Sequence, residues 1–358
     1  MAVFWNLVVY ADLRSLSMYG VRSKGRGIFT LHSMRPIITQ TMEIPVLNLE
    51  GKGPNKAAIV LEKDTLPPAS LAWPQFHNGV AAGLRIAKAG QAKLSTTWIA
   101  YHRPANNELS DEHAGFLMAL GLSGHLKALS MVTIHDYLTK GHETTSLGLL
   151  LGMAAAHRGT MDPGVAKMLC IHVPALLPVT SAELDVSQMV QTAAIVGVGL
   201  LYQSTANHRI AEVLLNELGR RPGAIAYTTV DRESYSLAAG LALGMVVLGK
   251  GDASPDLADL KITERLRRYI EGGPARETST DVSFQIDEGK LVNIDVTSSG
   301  ATLALAFMFM KTHNRSVADR IQIPDTQFLL DFIRPDFLLL RILSHSLIMW
   351  DGITPSIE

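Results

Sequence analysis

The stretch Gly244-Met-Val-Val-Leu-Gly249-Lys250 carries the Gly-x-x-x-x-Gly-Lys spacing of a phosphate-binding loop. In such a loop, backbone N–H groups cradle phosphates, the lysine reaches the terminal oxygens, and a Ser or Thr that follows holds magnesium. Here the next residue is Gly251, so the magnesium hydroxyl is missing. The segment also ends the apolar run Leu237–Leu248, which predicts a buried helix. Helical N–H groups are committed to carbonyls and have none to offer an anion. A P-loop nucleotidase therefore stays only as the remote alternative.

Twelve histidines raise the question of a metal. His135 and His142 are seven apart, and His142-Glu143 opens like a zincin motif, but the second histidine it needs is Ser146. His113 and His125 have no Cys or carboxylate at ligand spacing, so these histidines are expected to cap turns or line inter-repeat surfaces. Ser123, in Gly121-Leu-Ser-Gly124, lacks the Gly-x-Ser-x-Gly frame of a nucleophile elbow. Cys170 lies in an apolar stretch, Met168 to Val173, where a thiol behaves as a small hydrophobe. Arg265-Leu-Arg267-Arg268 reads as a solvated helix face, and Thr278, Ser279 and Thr280 as loop hydroxyls open to phosphorylation. The expectation is no catalytic, cofactor-binding or metal-ligating residue, and no enzyme.

Composition narrows the class. The 358 residues are 47% hydrophobic and only 18% charged, with formal charge -1 and mean hydropathy +0.18. Soluble domains usually carry about 25% charged residues, so burial here must be extensive. Near-neutral charge argues against nucleic acid as a partner. A single cysteine forms no intrachain disulfide and fits a reducing compartment, nucleus and cytoplasm. The apolar runs Leu237–Leu248, Ala301–Met310 and Leu147–Ala156 each reach about half of the ~20 residues that cross a bilayer. Met1–Tyr10 is apolar but lacks a basic start and a cleavage site, so neither membrane span nor signal peptide is expected.

The apolar runs share a grammar. Ala239-Gly-Leu-Ala-Leu-Gly244-Met-Val-Val247 lays over Ala301-Thr-Leu-Ala-Leu-Ala306-Phe-Met-Phe309 and over Ala194-Ile-Val-Gly-Val-Gly199-Leu-Leu-Tyr202. Leu147-Gly-Leu-Leu-Leu-Gly152-Met-Ala-Ala155 fits too, with looser copies at Phe116–Leu122, anchored on Gly121, and Asn78–Leu84, anchored on Gly83. Copies lie roughly 30 to 60 residues apart, the spacing of solenoid repeats with insertions. The structural anchors are Gly83, Gly121, Gly148, Gly152, Gly197, Gly199, Gly240, Gly244, Ala304 and Ala306. Asn207-His-Arg-Ile210 and Asn314-Arg-Ser-Val317 follow two of the copies in the same register. Each unit thus reads as an apolar helix, a polar turn and an amphipathic helix. In the last of these Ile210, Val213, Leu214 and Leu218 share a face, Asn207 caps the start and Gly219 stops the end. A helix apolar all round is buried all round. Gly148 with Gly152, and Gly240 with Gly244, share a face and predict close backbone approach.

Other segments differ. Residues 1–24 carry no clear pattern, and 25–75 read as an extended segment rich in Pro and β-branched residues. Residues 76–325 form the repeat array. Asp281–Ser298 alternates, with Phe284 and Ile286 before Glu288-Gly289 and Ile294 and Val296 after it, which predicts an inserted β-hairpin. Gly251–Asp259 and Glu271–Thr280 read as exposed loops, and 326–358 as C-terminal helices broken at Pro335.

These blocks resemble the proteasome/cyclosome repeat family. The strings His135-Asp-Tyr-Leu-Thr-Lys-Gly-His142-Glu143, Ile171-His-Val-Pro-Ala-Leu-Leu-Pro178, Glu183-Leu-Asp-Val186 and Asp231-Arg-Glu-Ser-Tyr-Ser-Leu look like its anaphase-promoting-complex branch. So do Phe76-His-Asn-Gly-Val-Ala-Ala-Gly-Leu84 and Gly25-Arg-Gly-Ile-Phe-Thr-Leu31. The proteasome regulatory-particle scaffold branch is the alternative. The resemblance runs from about residue 25 to the C-terminus. It implies a mainly α fold, a toroidal α-solenoid of helix-pair repeats. It further implies a non-catalytic scaffold in a cullin–RING-type ubiquitin ligase of mitosis. Implied partners are the substrate co-receptor subunit, the cullin/RING module, the TPR subunits and the coactivator. Members of that branch are several times longer and carry an N-terminal β-propeller region.

Overall fold

The computed structural model describes residues 35–36, 40–52, 55–60, 66–92, 94–104, 108–178, 186–221, 229–272, 292–331 and 333–352. The chain divides into two compact units, 1–157 and 158–358. That division falls inside the 76–325 span read from the sequence as one array.

In the first unit a two-stranded antiparallel hairpin pairs β1 (Glu50–Lys52) with β2 (Ala58–Val60), Gly51 opposite Ile59. The helices are α1 (Pro68–Gly83), α2 (Thr96–Tyr101), α3 (Asp111–Leu122), α4 (Met131–Leu138) and α5 (Glu143–Ala156). Helix α1 starts eight residues ahead of the sequence-read boundary at 76, with Pro68 in its first turn, where a missing N–H costs nothing. Ser95, Ser110 and Ser130 cap α2, α3 and α4, each hydroxyl accepting a backbone N–H three residues on at 3.2 Å. Helices α1, α3 and α5 lie side by side in chain order as staves of one layer.

The second unit repeats the scheme. Its staves are α7 (Gln188–Leu201), α9 (Thr229–Val246), α11 (Ile294–Met308) and α14 (Pro335–Ile348), again neighbours in chain order. The helices α6 (Pro163–Cys170), α8 (His208–Leu218), α10 (Ile262–Glu271) and α12 (Arg315–Arg320) form an outer layer, and α13 (Gln327–Leu330) is a single turn. Each outer helix packs on the stave that follows it: α6 on α7, α8 on α9, α10 on α11 and α12 on α14. The two layers have different residue patterns for that reason. In α7 every residue from Val190 to Leu201 is buried, and in α11 every residue from Val296 to Ala306. Fully burying a side chain such as Ile195 or Leu201 contributes roughly 1.5–3 kcal/mol. Helix α8 instead buries one stripe, Ile210, Leu214 and Leu218, and exposes Glu212 and Asn216. Asn207 Oδ1 accepts the Ile210 N–H at 3.1 Å, and Gly219 follows the last turn.

The structure corrects two expectations. The second arm of the expected hairpin at 281–298 is the start of α11; the first arm and turn lie outside the described residues. Ile294 and Val296 do sit on different sides, one 43% exposed and the other buried, but on a helix. Asn293 caps that helix by accepting the Asp295 N–H at 3.2 Å, and Asp295 complements its positive end. Three alternating residues fit either period. Residues 251–253 and 255–260, expected as an exposed loop, form 3-10 turns that bury Leu257 and Leu260. The loop expected at 271–280 lies outside the described residues from 273 onward.

Candidate functional site

The surfaces that join the staves are built from missing side chains. A methyl group at Gly121 would fall on the backbone of Gly152, and one at Gly148 on the Ala114 carbonyl. Gly83 faces the Ala119 methyl, where an added carbon would sit at 2.6 Å, and Gly152 faces the Leu126 side chain, where an added carbon would sit at 2.9 Å. In the second unit Gly199 lies over Ala242, and Gly240 over the backbone of Gly300. Gly244 lies against Phe307 and Ala304, where an added carbon would sit 2.8 Å from the Phe307 Cβ and 3.1 Å from the Ala304 Cα. Gly197 is buried in α7, and Ala304 and Ala306 are fully buried in α11. Contacts under 3.0 Å cannot hold a carbon atom without moving a neighbour, so the helices pack backbone to backbone. A glycine inside a helix costs about 0.5–1 kcal/mol relative to Ala, and close dispersion contact along the pair offsets it.

Three further residues belong to the same surfaces. Gly79 fits against the Glu112 carbonyl, Gly115 against the Phe76 carbonyl, and Gly300 against the Ser236 carbonyl. Gly79 and Gly83, like Gly300 and Ala304, repeat the four-residue spacing of Gly148 and Gly152. That spacing was the available signal.

A second device links the staves. After α7, Ser204 and Ala206 take left-handed backbone angles (φ 61° and 51°), and their N–H groups donate to Met245 and Val246 at the end of α9, at 2.9 and 3.1 Å. After α11, Lys311 and His313 (φ 62° and 54°) donate to Leu347 and Ile348 at the end of α14. Gly159 and Met161 (φ 70° and 54°) donate likewise to Leu200 and Leu201 of α7. Each turn therefore satisfies carbonyls that the next stave's C-terminus would leave bare. Between the two left-handed residues stands Thr160, Thr205 or Thr312, and after them an Asx cap, Asp162, Asn207 or Asn314. Thr205 Oγ1 donates to the Tyr202 carbonyl and Thr312 Oγ1 to that of Phe309, at 2.8 and 2.7 Å.

The same frame explains the phosphate-loop lookalike. Gly249-Lys250-Gly251-Asp252 is the turn after α9, with Lys250 in the threonine slot. Gly249 and Gly251 have φ of 69° and 56°, and Gly249 donates to Phe307 at 2.9 Å. The Lys250 N–H turns back to the Val247 carbonyl at 3.1 Å. Those amides are spent on helices.

The histidines are likewise engaged. His113 is buried, its Nε2 2.9 Å from the Tyr137 hydroxyl, and burial with the nearby Arg103 charge pushes its pKa down to about 4. Arg103 lies over the Tyr137 ring at 4.2 Å and pairs with Asp136 at 2.7 Å, holding that carboxyl below its usual range. His125 Nε2 meets the Ala87 carbonyl at 2.8 Å, and His142 Nδ1 meets the Thr145 hydroxyl at 2.8 Å. His135 is exposed beside Asp136 on α4. Among the described residues no cluster of His, Cys, Asp or Glu is arranged to hold a metal. Ser123 caps α3, and burial raises the Cys170 thiol pKa. Arg265 donates to Asn216 of α8 at 2.7 Å, Arg267 pairs with Glu271, and Arg268 is exposed. None of the described helices is long and apolar enough to cross a membrane.

Staves fused at glycines, turns that cap the next stave and an amphipathic second set of helices define a helical-repeat protein. Two family models cover the chain, the APC1 fourth domain over residues 13–158 and the APC1 fifth domain over 163–358. Their junction coincides with the division between the two units. The chain belongs to the anaphase-promoting complex subunit 1 family. It is 54% identical over 342 residues to the proteins of that name from Mus musculus and Homo sapiens, covering 93% of this chain and 18% of each relative. A 38% identical relative in Emericella nidulans is called negative regulator of mitosis and is matched over 97% of this chain and 16% of its own length. The chain thus spans under a fifth of those relatives. The family match begins at residue 13, ahead of the start near 25 read from the sequence.

Proposed function

We propose that this chain is a scaffold segment of the anaphase-promoting complex, a cullin–RING-type E3 ubiquitin ligase of mitotic progression, and that it is itself non-catalytic. Its task on this reading is mechanical. A rigid stave layer holds the outer helices and turns in fixed positions for neighbouring subunits. These are the substrate co-receptor subunit, the cullin/RING module, the TPR subunits and the coactivator, met in the nucleus and cytoplasm without a cofactor. The observation that carries the reading is the unbroken burial of α7 and α11, fused to neighbours at glycine contacts, in a chain of this family. The structural engagement of Lys250, His113 and Cys170 supports a non-catalytic role. The test is affinity purification of the tagged chain from dividing cells. Cullin-type ligase subunits without proteasomal ATPases are expected; recovery of the ATPases, or of neither set, overturns the proposal.

A further inference from the structure

The 3-10 turns between α9 and α10 enclose a recess. Residues 251–253 and 255–260 wind tightly, and Lys261 (φ 46°) swings the chain from the second turn into α10. The turns and the first residues of the helix thus form two walls of one cavity of about 400 Å³. That volume lies within the range of pockets that hold ligands. Its floor is apolar: Leu257, Ile262 and Met308 line it, each buried. Its rim is charged, with Asp252, Lys261 and Glu264 exposed.

The walls are tied together. Asp252 Oδ1 accepts the Thr263 hydroxyl, which joins the first turn to α10. A carboxylate accepts several hydrogen bonds, so this one leaves Asp252 capacity for a cation. Asp256 is exposed on the second turn, and Asp259 holds His208 at 2.9 Å. From Lys250 to Glu264 the chain carries four carboxylates against two ammonium groups. The walls are net acidic around an apolar floor.

We propose that this recess is a docking pocket for an aromatic side chain of a partner polypeptide that carries Lys or Arg beside that ring. The apolar floor suits one bulky side chain, and Met308 supplies a thioether, which favours a ring through sulfur–aromatic contact. The carboxylates of the walls complement flanking cations and disfavour an acidic partner. A charged rim around an apolar centre is the arrangement that shields a single anchor from water. The recess is preformed, so docking orders the partner alone. The inference rests on the scaffold reading and names one contact point on the second unit. Its test needs only the chain and a peptide, whereas the scaffold reading is tested by what co-purifies, so the two fail separately.

The probe is a short Gly/Ser peptide with one central Phe flanked by Lys on both sides. The whole chain, labelled at its methionine methyl groups, is followed by NMR, with the Met308 signal assigned by its loss in Met308→Leu. The peptide should shift that signal in a saturable way. Replacing its Phe with Ala should weaken binding about tenfold or more. Replacing both Lys with Glu should weaken it about threefold to tenfold. Glu264→Lys should narrow the gap between the Lys and Glu peptides, and Ala258→Trp, at an exposed position on the mouth, should abolish the shift. Melting curves check that both variants fold; should Ala258→Trp not fold, Glu264→Lys carries the test. A Met308 signal that no peptide moves, equal affinity for the Lys and Glu peptides, a gap that Glu264→Lys leaves intact, or binding unchanged in folded Ala258→Trp overturns the proposal.

Discussion

Replacing Gly240 with alanine tests whether the staves meet backbone to backbone. An alanine in a helix interior is intrinsically favoured over glycine by about 1 kcal/mol, so an uncrowded site would be stabilised. At Gly240 the new methyl would overlap the Gly300 carbonyl and Cα, atoms that no rotamer change can move. Overpacking costs about 1–3 kcal/mol, and the upper end applies where the obstacle is main chain. The net expectation is a loss of about 1–2 kcal/mol. In a unit of this size that lowers the melting midpoint by roughly 2–8 °C. Gly244→Ala should cost less, because its nearest neighbour is the Phe307 Cβ at 2.8 Å. Gly90→Ala is the control, since nothing lies within 4 Å of its added carbon; it should be neutral or slightly stabilising. Thermal and urea denaturation of the three variants give the comparison. A raised midpoint for Gly240→Ala, equal to that of Gly90→Ala, would refute close contact at this glycine.

Three further outcomes are expected. Lys250→Ala should leave the unfolding free energy within about 0.5 kcal/mol of the parent, and calorimetry with magnesium and ATP should give no heat of binding for either protein. Acid should weaken the fold through His113, which takes its proton near 6.5 when unfolded but near 4 when folded. The unfolded state then binds the extra proton between those values, so stability falls as pH drops through that window, by up to about 3 kcal/mol; His113→Gln should flatten the urea midpoints between pH 7 and pH 4.5, and an unaltered slope would count against the assignment. Asn207→Ala should cost about 1 kcal/mol by removing the cap on α8, whereas Ala206→Gly should be neutral to stabilising by about 1 kcal/mol, because φ of 51° strains a residue with a Cβ; opposite signs in paired melting curves would contradict both.

The architecture was legible where burial and repetition act together. The Gly244 and Ala306 blocks could be aligned because a stave enclosed on all sides tolerates only apolar and small residues. Asn207 and Gly219 could be read because caps are local chemistry. The hairpin failed for the converse reason: Ile294 and Val296 are too few to separate a period of 2 from one of 3.6, and the deciding residue was the Asn293 cap. The turn frame was written in the sequence at Thr160, Thr205 and Thr312, yet its purpose was hidden, since the accepting carbonyls lie 35 to 41 residues away along the chain, on the next stave, only in the folded molecule.

The turn amides carry a practical consequence. Exchange of the Ser204 and Ala206 hydrogens with solvent reports on Met245 and Val246, so these two positions are sentinels for a helix end 41 and 40 residues downstream. Peeling the molecule from its C-terminal side would deprotect them one stage before their own helix loosens. Each linker thereby announces the departure of its successor, and the order of deprotection gives the direction in which the stack comes apart.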